Sequence, residues 1–371
     1  MNGIPRTADV VIVGGGIVGV SAAFFLSGID GIRVAVAERS EVGAGATGRA
    51  AGMVLLQAGS EADLRLQLDG AAVHRRLSGE LGVDLPAHGS LLLWTSEQDA
   101  ARARELASVH RACGVQIELL DAAEIHRRCP YLHAEDVVVA TFSADDPWAE
   151  PLAFVRRLAD AARARGAAIC EHCEVTGVDV ESGRVLGVRT SAGAIAAGTV
   201  VNAAGAWARR VGELTGMRIP ISPRKRQVFV LDPGATVPPD APFIMEEQHD
   251  YYCKMHPEGL ITVRAQTRGE TFDPTVEWGY LDAALELTFR RLPALRRAPV
   301  TGAWAGIRPM ASDGLPIIGA VPGLEGYLVA GGLGAQGFAR GPLVGQVVSE
   351  LVATGRSRLD LEPYRPGRFG G

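Results

Sequence analysis

Lysine is almost absent from this chain of 371 residues: only Lys225 and Lys254 occur, so nearly all of the 37 cationic side chains are arginine. With 42 acidic residues the formal net charge is −5. No long run of like charge occurs, which argues against a nucleic-acid backbone as partner. The cluster Arg224-Lys225-Arg226 reads as a solvated turn. Cysteine is sparse too, at five residues. An odd number in a long chain does not make a secreted disulfide framework. Cys170 and Cys173 form one CxxC, but no second pair or histidine cluster accompanies it, so no zinc site is expected. The pair falls in 168–178, which reads as a strand, and redox CxxC pairs usually open a helix. Buried or half-buried thiols are the expected state.

Long apolar runs are also few. Val10 to Ile29 carries no charge and is long enough for a spanning helix or a signal peptide. Gly14, Gly15, Gly16 and Gly19 break it in the middle, and Val10–Val13 before them has the continuous apolar character of a buried parallel strand. The segment therefore reads as strand, turn, helix, and the protein is expected to be cytoplasmic. No internal repeat or low-complexity linker is visible. The length suits two domains.

Glycine is the residue in excess, at 46, and much of it is concentrated at 14–19, 43–52 and 331–341. Gly14-x-Gly16-x-x-Gly19 follows a strand and opens an apolar helix, and a second strand, 33–37, ends at Glu38. The first glycine permits a tight turn, the second a close approach to a pyrophosphate, and the third close helix–strand packing. The helix N-terminus, at Ile17 and Val18, offers N–H groups to the phosphates, and Glu38 suits the ribose hydroxyls. Glu38 would repel the extra phosphate of NADP. NAD and FAD are not separated by the fingerprint alone. The small-residue run after Arg39, from Gly43 through Thr47, Arg49, Ala50 and Ala51 to Gly52, suits backbone wrapping a large extended cofactor. A surface loop is the competing reading, less favoured because apolar Met53-Val-Leu-Leu56 follows at once.

The four stretches VVIVGGGIVGVSAAFFL, ERSEVGAGATGRAAGM, TVVNAAGAWA (199–208) and WAGIRPMASDGLPIIGAVPGLEGYLVAGGLGAQGFARGP (304–342) occur in that order. Together they resemble the D-amino-acid-oxidase-like family of FAD-dependent amine oxidoreductases, which contains glycine oxidase, sarcosine oxidases and related dehydrogenases. The resemblance covers nearly the whole chain. It implies a mixed α/β fold in which a Rossmann-like FAD-binding domain (1–80, 147–220 and 305–371) is interleaved with an antiparallel-sheet substrate domain (81–146 and 221–304). Stretches 226–231 and 260–265 read as strands of the latter and 97–112 as an exposed amphipathic helix. In the former, 199–206 reads as a buried strand ending in a small-residue turn, with Ala204, Gly205 and Trp207 against the dinucleotide. Val175 matches the position whose backbone pairs with adenine. The loop Gly334-Ala335-Gln336-Gly337-Phe338 leads into a helix over 342–353, and in the family it faces the flavin pyrimidine. A second phosphate site is the weaker alternative for that loop.

The same resemblance places Arg308 where glycine oxidase clamps the substrate carboxylate, a task that suits the planar guanidinium fork. A structural ion pair is the alternative role. Tyr252 aligns with a substrate-contacting tyrosine, and its neighbour Tyr251 points to the opposite strand face, so only one can enter a given cleft. Gly306 and Arg49 stand where some relatives attach flavin through Cys or His, which implies non-covalent FAD. Leu333–Gln336 replaces a loop that often carries a His. Thr262 falls where one sarcosine oxidase has an oxygen-activating lysine, and Lys254 is expected to be exposed. The leading expectation is oxidation of the C–N bond of a small primary or secondary amine or amino acid, giving an imine that hydrolyses. A 2-hydroxy-acid dehydrogenase, served by His249 or His256, is the alternative, as is a flavin-bearing subunit of a larger dehydrogenase. The electron acceptor, oxygen or another, and the oligomeric state stay open.

Overall fold

The computed structural model describes residues 3–264 and 269–370. Two sheets dominate. The first has six strands, in the order Ile317–Ala320, Tyr327–Gly331, Thr199–Asn202, Val10–Val13, Val34–Ala37 and Ala168–Cys170. All pairs are parallel except the edge pair Ile317–Ala320 with Tyr327–Gly331.

Parallel strands are covered on both faces, which is why these are runs of Val, Ile and Ala without polar alternation. One face (Val10, Ile12, Val34, Val36, Val201) packs on the helices Ile17–Leu26, Glu61–Leu81, Pro151–Ala164 and Gly337–Thr354. The other (Val11, Val13, Ala35, Val200, Val329) packs on a three-stranded sheet, Val175–Glu181, Arg184–Thr190 and Gly193–Ala196, and on the short helix Ala208–Glu213. The central crossing, Ile17–Leu26 on Gly337–Thr354, is unusually close. A Cβ on Gly345 would lie 2.4 Å from Ser21 Cβ, and one on Gly341 would lie 2.6 Å from Ile17 Cγ2. Only glycine lets these backbones meet.

The second sheet has eight strands, in the order Val300–Ala311, Ile221–Leu231, Gly259–Arg264, Tyr251–His256, Phe243–Glu246, Ser90–Trp94, Val139–Ser143 and Glu118–Leu120. It is mixed rather than purely antiparallel, because Phe243–Glu246 pairs in parallel with Ser90–Trp94. Those strands come from segments far apart in sequence, and no hairpin dictates their direction. One face buries Leu91, Leu93, Tyr251 and Cys253 against Ile125 of helix Ala122–Arg128 and Leu287 of helix Leu281–Arg291. Helix Glu97–Ala112 covers Leu92, Trp94 and Val139 with a stripe of small residues, Ala100 and Ala103.

Three local expectations are corrected. The strand expected over 168–178 is two strands in different sheets: after Cys170 the chain turns at His172 (φ 54°), and Cys173 N–H bonds to Glu38 O at 2.7 Å. Arg224-Lys225-Arg226 is not a solvated turn but lies inside the strand Ile221–Leu231. Lys225 is buried there, with Nζ donating to Thr275 O at 3.0 Å and ion-paired to Glu277. Lys254 is buried, not exposed, with Nζ 3.7 Å from the centroid of the Trp148 ring. Ala265, the last residue of the strand expected over 260–265, lies outside the described residues.

Candidate active site

A continuous cleft of about 920 Å³ runs from the carboxyl ends of the parallel strands to the face of the eight-stranded sheet. At its first end Val13 leads into Gly14, which adopts φ 110° and on which a Cβ would lie 2.6 Å from Ala203 O. Gly15 N–H donates to Glu38 Oε2 at 2.6 Å and Ser40 N–H to Oε1 at 2.8 Å, so the acid at the end of Val34–Ala37 is fixed beside the turn. The helix Ile17–Leu26 opens with no side-chain cap at Gly16, while Ile17 N–H donates to Thr47 Oγ1 at 3.0 Å. That bond pins the small-residue run to the glycine turn. Arg39 lies 3.7 Å from the centroid of the Trp207 ring and Arg210 3.9 Å from that of Phe272, with Val175 on the same stretch of wall.

In the middle, Thr47, Arg49, Ala50, Ala51, Gly52 and Met53 form one wall. Arg49 Nη1 donates to Ala305 O at 3.0 Å, and Trp304 Nε1 donates to Arg49 O at 3.2 Å. Gly306 leaves the room for this: a Cβ there would lie 3.2 Å from Arg49 Cβ. Opposite stands the loop Gly334–Phe338, held by Gln67 Nε2, which donates to Gln336 Oε1 at 3.0 Å.

Behind that loop the helix Gly337–Thr354 starts before the expected 342 and contains Pro342. Proline has no N–H for the carbonyl four residues earlier, Phe338 O. His74, from the helix Glu61–Leu81, supplies the missing donor: Nε2 lies 2.8 Å from Phe338 O. Burial holds His74 down at about 4 against the opposing pull of this bond, so it is neutral and Nε2 carries the proton.

At the far end Arg308, Arg226, Tyr252, Asp250, Val228, Phe243 and Met245 converge. Arg308 lies beside Tyr252, and burial followed by the charge of Arg226 pushes its pKa down. Among the described residues it has no carboxylate within ion-pair distance. Arg226 is a site residue that the sequence does not single out: it opens the strand read over 226–231, yet it also ends the charged triplet read as a solvated turn. Of the residues expected at the site, Gly15, Gly19 and Tyr251 do not line the cleft. Gly15 and Gly19 act behind it: a Cβ on Gly19 would lie 2.0 Å from Gly14 O. Tyr251 is corrected: it points to the opposite sheet face, fully buried, with its hydroxyl 3.4 Å from Thr288 Oγ1. Thr262 also faces that way, hydrogen-bonded to Thr288 at 2.6 Å. His249 bonds to Glu246 at 2.8 Å, and His256 packs 5.6 Å from the Trp304 ring. Neither His lines the cleft.

An uncapped helix N-terminus beyond a glycine turn, a fixed acid at the neighbouring strand end and a long small-residue wall define a dinucleotide-binding oxidoreductase. The chain belongs to the FAD dependent oxidoreductase family, whose model matches residues 9–351, and FAD is its cofactor. It is 32% identical to the glycine oxidase of Geobacillus kaustophilus, over 96% of each chain. It is 26% identical to human mitochondrial sarcosine dehydrogenase, over 99% of this chain but 42% of that protein. In structure it resembles an L-proline dehydrogenase from P. horikoshii with a TM-score of 0.93 and 29% identity, covering 99% of this chain and 98% of that one. No helix among the described residues is long and apolar enough to cross a membrane.

Proposed function

We propose that this enzyme oxidises the C–N bond of a small amino acid carrying a primary or secondary amine, releasing an imine that hydrolyses. The observation that carries the reading is Arg308: a half-buried guanidinium open to the cleft, beside Tyr252 and, among the described residues, with no carboxylate within ion-pair distance. A substrate carboxylate is the natural partner of such a fork. Bound FAD supplies the two-electron acceptor. The protein orients the substrate: Arg308 and Tyr252 hold the carboxylate end, while Phe243, Met245 and Val228 exclude water around the rest.

In this reading 1–80, 147–220 and 305–371 hold the cofactor, and 81–146 with 221–304 shape the substrate pocket, into which Arg308 reaches from the strand Val300–Ala311 that joins the two parts. The cofactor is held non-covalently. An amine needs only to be unprotonated, whereas a 2-hydroxy acid needs a base for its hydroxyl. Among the described residues no histidine borders the cleft, and Asp250 is engaged by Arg226. That favours amine over alcohol. Substitution Arg308→Ala is expected to raise KM for a carboxylated amine about 10- to 100-fold, the range of one lost charge-assisted bond. An unchanged KM would remove Arg308 from this role. The names of the relatives, glycine oxidase, sarcosine dehydrogenase and L-proline dehydrogenase, agree with amine substrates.

A further inference from the structure

Sheet register places a second guanidinium in the substrate end of the cleft. Arg226 pairs with Gly306 and Arg224 with Arg308 across the strands Ile221–Leu231 and Val300–Ala311. Paired residues share a face, and so do residues two apart. Arg226 and Arg308 therefore stand diagonally on one face, and both line the cleft. Asp250, held at φ 46° before the strand Tyr251–His256, takes one edge of Arg226: Nη1 donates to Asp250 Oδ2 at 2.5 Å and Nη2 to Asp250 O at 3.2 Å. The other edge is different. The Arg226 side chain is 5% exposed, and its Nε is buried with no hydrogen-bond partner among the described residues. A guanidinium binds a carboxylate side-on through Nε–H and an Nη–H, and a buried donor without an acceptor is costly.

The two guanidiniums decide what fits. Asp250 occupies only the Nη1–Nη2 edge of Arg226. A ligand with one carboxylate, held at Arg308, leaves the Nε edge of Arg226 unmet, whereas a ligand with a second carboxylate can engage both guanidiniums. We propose that Arg226 is the site for a second substrate carboxylate, so that the pocket selects amines bearing two carboxylates: an acidic α-amino acid or an N-carboxyalkyl glycine. This rests on the amine-oxidation reading for turnover, but its binding part does not need an amine.

The test uses the FAD-loaded protein and the perturbation of flavin absorbance on titration. Succinate against butyrate compares two carboxylates with one at equal chain length and without an amine. Iminodiacetate against N-methylglycine, and aspartate against 2-aminobutyrate, repeat the comparison for the two amine types. The expected result is about 10- to 100-fold tighter binding of succinate and of at least one dicarboxylate amine. In Arg226→Gln that preference falls by about tenfold or more. Equal binding of succinate and butyrate by the unsubstituted protein overturns the proposal, and needs no variant to fold. An equal preference retained in Arg226→Gln overturns it too. Flavin reduction by monocarboxylate amines without any preference for succinate would leave the amine reading standing and remove this one. Preference for succinate with no amine reducing the flavin would do the reverse.

Discussion

His74 ties cofactor loop, helix and pH together, and its replacement by glutamine separates the effects. In the folded protein burial lowers its pKa from 6.5 to about 4, the bond to Phe338 O opposing the shift only in part. A histidine whose folded pKa is depressed contributes stability that is present above the unfolded value and is lost as pH falls towards the folded one. The window is therefore 6.5 down to 4. At pH 8 the effect is nil, and at pH 5 proton uptake by the unfolded chain costs the fold about 2 kcal/mol.

Asp146 works against this. Burial raises it to about 6, despite hydrogen bonds from Ser143 and Ser90. A carboxyl raised in the fold contributes stability at low pH that is lost as pH rises through the folded value. The raw pH curve is thus a sum, and the diagnostic quantity is the difference between proteins. His74→Gln can still donate to Phe338 O but cannot titrate. Urea unfolding followed by tryptophan fluorescence at pH 8 and pH 5 should show the variant losing about 2 kcal/mol less than the parent between the two. Equal losses would refute a neutral, buried His74. His74→Leu should in addition cost about 1–3 kcal/mol at pH 8, because Phe338 O is left with neither Pro342 nor His74 as donor.

Gly345→Ala should destabilise by about 1–3 kcal/mol in the same urea assay, since the added Cβ would sit 2.4 Å from Ser21 Cβ. Lys254 is lowered to about 7 by desolvation alone, and its Nζ has no hydrogen-bond partner among the described residues. The folded pKa is depressed, so the stability tied to it is lost as pH falls from 10.5 through about 7, and Lys254→Met should raise the urea midpoint at pH 6 more than at pH 9. Flavin should be released into the supernatant on acid precipitation, because Gly306 and Arg49 offer no nucleophile for a covalent link. Flavin absorbance in the washed pellet would contradict this.

The cofactor end of the cleft was legible because its requirements are local. A turn with φ 110° at Gly14, an acid ending the next strand and small residues at 43–52 each leave a mark within a few positions. Length and order of the motifs then carried the fold. The substrate end was not legible in the same way. Arg226 and Lys225 look like solvent-exposed charges until Asp250 and Glu277 arrive from 24 and 52 positions downstream. Lys254 lies in a run, Tyr251-Tyr-Cys-Lys-Met255, whose continuous apolar flanks were the one available signal of burial on both faces. Tyr251 and Tyr252 alternate in sequence, but which of the two faces the cleft depends on the helix Leu281–Arg291 covering the other side. The role of His74 needed a partner 264 positions away.

Mixing the FAD-loaded protein anaerobically with amino acids and with their 2-hydroxy counterparts, while following flavin absorbance, tests the account most directly. Bleaching by at least one carboxylated amine and by no hydroxy acid is the predicted result. Bleaching by 2-hydroxy acids alone would contradict it.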